Sequence, residues 1–384
     1  MIICNCINHQ DIDTINTTTQ MLEKEIYEAL KIVQLACEVT SRVQLELTKN
    51  NIVTKSDSSP VTISDVAAQF LIFNHIHKQF PHDAFIGEED TAEEDKEFLN
   101  DVLTLVEQYT DEDYTIEQLG EIVNLGNSEG SVNGVKKRHW VLDPIDGTKG
   151  FIRGDQFAVC LSLLNEQGEV IMGVIGCPNL SLNNYYKPEI HGKHKFDYKK
   201  LDAECGSDGY IFYSKTQENK VYFGPSIKFK FSDDATYQND FLNVVTKEDN
   251  EIDLKKLVTL EGFEKGHSSH DLQNDIKEKF NIQHALHLDS QVKYCLLILN
   301  LGNLYLRLPT SLQFKEKIWD HAAGFSLLKS LDYNHTDSLE AKTVNFYDGG
   351  RYFLTKGVIA SNLSKELHKE IVEYSKELIM KKFA

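Results

Sequence analysis

The stretch WVLDPIDGTKGF, residues 140–151, places two aspartates three positions apart directly after an apolar run. The run reads as a buried strand. Pro144 keeps the residue before it extended and Gly147 permits a sharp turn, so Asp143 and Asp146 project from one strand end on one side. Two carboxylates a few ångströms apart repel by roughly 4 kcal/mol at an effective dielectric near 20. A proton or a cation must therefore sit between them. The natural occupant is a hard divalent cation with oxygen ligands, Mg²⁺ where phosphate shares the coordination. Taken alone, the pair also reads as turn-forming aspartates ahead of a glycine.

The surroundings read as an α/β chain. QFAVCLSLL and EVIMGVIGC, joined by NEQG, form a hairpin, and both faces of these strands are apolar, which predicts a sheet covered on both sides. From Met21 to Leu47 strong helix formers place apolar residues at helical intervals. Residues 1–20 read as a loose extension, and TKNNIVTKSDSSPVT as an exposed, mobile loop. A second helix is predicted from near Ser64, with Val66, Phe70, Phe73 and Ile76 on one face, Asp65 in its first turn and a stop before Pro81. DAFIGEED reads as a short strand running into carboxylates. Residues 91–137 read as an acidic insertion with one helix (KEFLNDVLTLVEQY) that the core can do without. Beyond about residue 190, strand-like runs (GYIFYS, KYCLLILNL, LYLRLP) alternate with helical ones (HDLQNDIKEKFN, DHAAGFSLLKSL, SKELHKEIVEYSKELIMKKF).

Charge and composition exclude several classes. The net charge is −19 over 384 residues, and the densest charged runs, such as GEEDTAEED, are acidic. Nucleic acid is therefore not an expected partner, since phosphate neutralisation needs clustered Lys and Arg. The longest apolar region, Tyr294 to Leu308, is cut by Asn300, Gly302, Asn303 and Arg307. It falls short of the roughly 20 apolar residues a membrane helix needs. Seven cysteines without a Cys-x-x-Cys pair fit reduced thiols and a cytoplasmic protein. The first twenty residues hold no Lys or Arg and match neither a secretory signal nor a transit peptide.

GEE at 87–89, WVLDPIDGTKGF at 140–151 and WDHAAG at 319–324 resemble, in order and spacing, the three signature motifs of the inositol monophosphatase superfamily of Mg²⁺-dependent, lithium-sensitive phosphatases. With EGFEKGHSSHDLQ, LHLDSQVKYCLL, YLRLP and EKIWDHAAG, the chain is similar to the 3′(2′),5′-bisphosphate nucleotidase branch over roughly residues 21–380. The resemblance implies an α/β (α+β) layered sandwich of αβαβα architecture. The metal-bearing half would span 21–190, and 191–384 would supply nucleotide contacts and one metal ligand. It implies metal ligands at Glu88, Asp143, the Ile145 carbonyl, Asp146 and Asp320. Asp65 and Thr148 would orient and activate the attacking water. His267, Ser290, Lys293 and Arg307, with Thr148 and Asp320, would surround the nucleotide, and Lys149 is a further candidate for phosphate contact.

Read singly, each residue has a plain alternative: Glu88 as an exposed acid, Asp65 or Asp320 as a helix cap, Thr148 as a turn hydroxyl, Arg307 and Lys293 as solvated charges, His267 as a loop histidine. The activity implied is removal of the 3′-phosphate of adenosine 3′,5′-bisphosphate, and of 3′-phosphoadenosine 5′-phosphosulfate. It would be inhibited by Li⁺ and Na⁺ and tied to sulfate assimilation and salt tolerance, in a cytoplasmic monomer. Two alternatives stand beside it: an inositol phosphate or other sugar phosphate monoesterase, and a catalytically silent metal- or nucleotide-binding regulator. Intact Asp65 and Thr148 weigh against the silent binder.

Overall fold

A computed structural model of the chain describes residues 9–50, 60–92, 94–132, 134–216, 218–232, 242–247, 253–264, 266, 268–346, 350–353 and 356–383. Two sheets and three helical layers alternate. The larger sheet has seven strands in the order Ala84–Gly87, His139–Asp146, Ala158–Leu164, Val170–Cys177, Tyr210–Lys215, Val221–Pro225 and Asn243–Val245. Its first pair is parallel and the rest antiparallel, with the expected hairpin at 165–168. It continues without a break across residue 190. The second sheet orders His284–His287, Val258–Glu261, Leu304–Arg307, Val358–Ser361 and Asn334–Asp337, the first three parallel.

Side-chain alternation along the strands sets the layers. In Ala158–Leu164, Val159, Leu161 and Leu163 pack with Ile26 to Val39 of the first helix and Val66 to Ile76 of the second. Ala158 and Cys160 point the other way, into a core shared with helices Val292–Ile298 and Ala322–Ser330. Those two helices form the middle layer, because Leu260, Tyr305 and Ala360 of the second sheet close the same core. Leu304, Leu306 and Ile359 face outward onto helices His270–Lys279 and Lys365–Phe383. The predicted αβαβα layering is what the alternation builds.

Four local expectations are corrected. KYCLLILNL is helical over Val292–Ile298, not a strand; every residue from 292 to 298 is buried, so the periodicity that separates helix from strand is erased. The first helix starts at His9 rather than near Met21, since extending an existing helix costs far less than nucleating one. The second runs Pro60–Gln79, putting Asp65 in its second turn; proline is tolerated at a helix start. Finally, 91–137 is no appendage. It carries a second helix, Ile116–Val123, and Phe98, Val102, Val106, Leu119 and Val123 are buried in the same core as Phe70 and Phe73. The loop predicted around 48–62 lies mostly outside the described residues. Among the described residues no helix is long and apolar enough to cross a membrane.

One buried group makes the outer layer acid-sensitive. His368 is 2 % exposed, with Nδ1 against Ser361 Oγ at 2.8 Å and Nε2 against Thr336 Oγ1 at 2.9 Å. Burial lowers its pKa from the usual 6.5 to about 4. Below 6.5 the unfolded chain takes up a proton that the folded chain refuses until about pH 4, so stability falls as pH drops through that window. A shift of this size corresponds to about 3 kcal/mol. Urea unfolding of His368→Gln at pH 7 and at pH 4.5 should show a correspondingly smaller acid loss than the parent; an equal loss would place the acid sensitivity elsewhere.

Candidate active site

The strand His139–Asp146 carries both aspartates through a bulge. Asp143 pairs with Cys160 and Asp146 with Ala158, so three steps on one strand oppose two on its neighbour. In a regular strand, residues three apart face opposite sides; one extra residue returns them to the same side. Pro144 has no N–H to leave unpaired there. The strand then ends at Gly147, whose φ of 90° is costly for other residues, and a Cβ there would crowd Asp289 and Ser290 at 3.1–3.2 Å. Thr148 follows, its Oγ1 donating to the Ile145 carbonyl at 3.3 Å.

Glu88 and Glu89 leave the parallel strand Ala84–Gly87. Gln69 clamps this corner: its side chain donates to the carbonyls of Glu89 at 2.7 Å and Val123 at 3.0 Å, and accepts from Glu89 N at 3.1 Å. Arg351 donates to the carbonyls of Gly87, at 2.7 Å, and Gly126. Asp65 lies one helical turn before Gln69, hence on the same face. It is 6 % exposed and feels the charges of Glu89 and Glu88.

Asp320 ends the short turn Ile318–Asp320 ahead of helix Ala322–Ser330, where a Cβ at Gly324 would overlap the Tyr294 ring. Its Oδ2 accepts from Arg307 Nη2 at 2.9 Å, while Arg307 Nε lies 2.7 Å from Glu316 Oε2. Arg307 is thus no solvated strand charge. Nor is Lys293, buried with Nζ donating to the carbonyls of Leu288 at 3.0 Å and Ser290 at 2.7 Å. Ser290 has a φ of 66°, and its Oγ accepts from Val292 N at 3.3 Å at the start of that helix. Lys149 lies 3.5 Å from Glu264. His267 lies outside the described residues.

One cavity of about 430 Å³ gathers Glu88, Asp143, Ile145, Asp146, Thr148, Lys149, Ser290, Lys293, Arg307 and Asp320. Asp65 is not among its lining residues. Burial, then Glu88, Asp146, Asp320 and Asp65, raise the Asp143 carboxyl well above the usual range. Burial and Asp320 push Asp146 up to about 7, against the pull of Lys293, the Gln291 N–H and Arg307. Asp320 and Asp65 are raised too, burial first in each case. Asp143 Oδ1 is buried with no hydrogen-bond partner among the described residues. Oxygen donors that repel one another, one of them orphaned, fit a hard divalent cation and no softer metal. Among the described residues the one group of three with ligand atoms within 4.8 Å of one another is Glu316, Asp320 and His321, so the carboxylates of Glu88, Asp143 and Asp146 lie farther apart across the cavity. That trio is otherwise engaged: Glu316 holds Arg307, and His321 Nδ1 lies 2.7 Å from Tyr294 Oη.

Several residues of the site carried no reading in the sequence. Gln69, four after Asp65, could have been found by helical spacing. Gln291 ties three elements together: its N–H bonds Asp146 Oδ2, its Nε2 donates to the Trp319 carbonyl and its Oε1 accepts from Gly324 N, both at 2.8 Å. Lys317, whose Nζ lies 2.8 Å from Glu88 Oε1, had no local signal.

The chain has relatives among known proteins. The model of the inositol monophosphatase family matches residues 17–380. A 3′(2′),5′-bisphosphate nucleotidase 2 of Candida albicans (strain SC5314) is 38% identical over 366 residues, covering 90% of this chain and 95% of its own. A 3′(2′),5′-bisphosphate nucleotidase 1 of Arabidopsis thaliana is 34% identical over 316 residues, 79% of this chain and 82% of its own. In structure the chain is similar to an inositol monophosphatase II from Staphylococcus aureus MSSA476, with a TM-score of 0.52 at 14% identity, covering 91% and 96% of the two chains. An inositol monophosphatase from Zymomonas mobilis gives 0.51 at 16% identity, with 90% and 97% covered.

Proposed function

The chain belongs to the inositol monophosphatase family, and on that premise we propose that it is a Mg²⁺-dependent 3′(2′),5′-bisphosphate nucleotidase. It converts adenosine 3′,5′-bisphosphate to AMP and phosphate and acts on 3′-phosphoadenosine 5′-phosphosulfate. The observation that carries the proposal is the cavity in which Glu88, Asp143, Asp146 and Asp320 meet Ser290, Lys293 and Arg307, beside relatives named for that activity. Glu88, Asp143, the Ile145 carbonyl, Asp146 and Asp320 would hold magnesium. Bound there, it supplies positive charge to the phosphate ester and a more acidic water than bulk solvent offers.

The protein's own task is positioning and charge balance, since phosphoryl transfer needs no covalent intermediate on the enzyme. Thr148 Oγ1 orients the attacking water, and Asp65 accepts the proton that water gives up. The water oxygen bonds to phosphorus, the bond from phosphorus to the 3′ oxygen breaks, and that oxygen takes a proton from solvent to leave as the ribose hydroxyl, balanced by the proton that Asp65 then returns to solvent. Lys293 and Arg307 hold the 5′-phosphate, the group that is not cut; Ser290 and His267 contact the nucleoside. Metal acids thus come chiefly from residues 21–190 and nucleotide contacts from 191–384. Li⁺ and Na⁺ would inhibit by occupying carboxylate oxygens without supplying the charge of Mg²⁺. A cytoplasmic compartment is consistent with the five described cysteines, all free and buried.

The direct test is phosphate release from adenosine 3′,5′-bisphosphate and from inositol 1-phosphate, each with Mg²⁺, with and without millimolar Li⁺. Release from the nucleotide, abolished by Li⁺ or by chelator, is expected. Activity confined to the inositol ester would overturn the substrate, and none on either would leave a silent binder.

A further inference from the structure

Two of the acids proposed as metal ligands already hold basic side chains: Asp320 holds Arg307, and Glu88 holds Lys317. We propose that Lys317 is an internal counter-cation that competes with the divalent metal for Glu88 and so sets the metal affinity of the site. The inference rests on the ligand role proposed above for Glu88.

Both ends of the pair are pinned by the scaffold. Lys317 forms a β-bridge with Tyr352, and its neighbours close the same ladder: Ile318 N donates to the Arg351 carbonyl at 3.1 Å and Phe353 N to the Glu316 carbonyl at 2.8 Å. Its ammonium rests 5.1 Å from the Trp319 ring centroid, a ring that Arg351 also covers at 4.7 Å. On the other side the backbone around Glu88 is held by Arg351 at the Gly87 carbonyl and by Gln69 at Glu89 N. With both backbones fixed, a metal that takes Glu88 needs to move only the tip of a flexible side chain that is 38% exposed. The carboxylates that face Lys317 are Glu88, Asp320 and Asp143, all three proposed ligands. Lys317 also lines the cavity, so it remains near the phosphate once displaced.

A positive charge that must be displaced weakens binding of a second cation, and removing it strengthens that binding. A merely structural lysine would act in the opposite direction. The test is a Mg²⁺ titration of the full chain without substrate, read by calorimetry and by the metal-dependent rise in melting temperature. Lys317→Met is expected to bind Mg²⁺ roughly fivefold more tightly than the parent, the size of a half-exposed ion pair. Lys317→Arg should keep the parent affinity. Lys317→Gln gives a second neutral side chain if Met disturbs the fold. Unchanged or weaker Mg²⁺ binding in the neutral variants overturns the proposal. Glu88→Gln separates the two levels: if it leaves Mg²⁺ affinity unchanged, the ligand role of Glu88 fails, whereas weakened binding there with no gain in Lys317→Met rejects the counter-cation alone.

Discussion

Replacing Asp143 by Asn is expected to lower phosphate release at least about 1,000-fold, some 4 kcal/mol of transition-state stabilisation, while raising the melting temperature of the metal-free protein. Asn keeps the shape and one carbonyl oxygen but not the charge. Asp143 is 2 % exposed, its Oδ1 has no hydrogen-bond partner among the described residues, and it feels Glu88, Asp146, Asp320 and Asp65 at once. In the absence of metal, removing it therefore relieves repulsion in the fold. In the presence of metal the same substitution removes a charged oxygen donor from the site. Phosphate release with Mg²⁺ and thermal unfolding in chelator read the two effects separately. Lost activity together with a lower metal-free melting temperature would mean that Asp143 is structural, and the proposed metal site would lose its central member.

That opposition between stability and function is also why this part of the chain was legible. A buried strand has no structural reason to end in two acids, so the departure from the expected pattern marks the site. The cues are local: Pro144 and Gly147 lie within the motif they shape, and the bulge they permit brings Asp143 and Asp146 to one side. The hairpin was legible for a similar reason, since its turn and its strands, apolar on both faces, are written within a few residues, whereas the order of the layers came from the resemblance.

Where the sequence misled, the deciding forces were tertiary. Residues 292–298 look like a strand because the middle layer is enclosed by two sheets, and full burial leaves no polar face to betray the helical period. The helix carrying Phe98 and Val102 looks detachable because the 91–137 segment around it is acidic, although its apolar face completes the core around Phe70. The basic residues of the site were hardest. Lys317 meets Glu88 across 229 positions, and nothing near either residue announces the partner. Arg307 and Lys293 read singly as solvated charges, yet one is shared between Glu316 and Asp320 and the other is a buried residue of the cavity lining.

Lys293 is where the choice of substrate is most sharply testable. Its ammonium has three donors, and two are spent on the carbonyls of Leu288 and Ser290. The third has no partner among the described residues and is left for a ligand in the cavity that Lys293 lines. Burial lowers its pKa to about 8, with Asp146 and Asp289 opposing, so an incoming phosphate strengthens a charge the fold holds only weakly. Lys293→Met keeps the length and the packing near the Tyr305 ring, 5.3 Å from the ammonium, and removes the charge. If Lys293 holds the uncut phosphate, kcat/KM for adenosine 3′,5′-bisphosphate should fall about 100-fold, the size of one buried charge-assisted hydrogen bond, while 3′-AMP, which lacks that phosphate, loses less than about threefold. Equal losses on both substrates would instead tie Lys293 to the acids through Asp146, and selectivity for the second phosphate would then rest on Arg307.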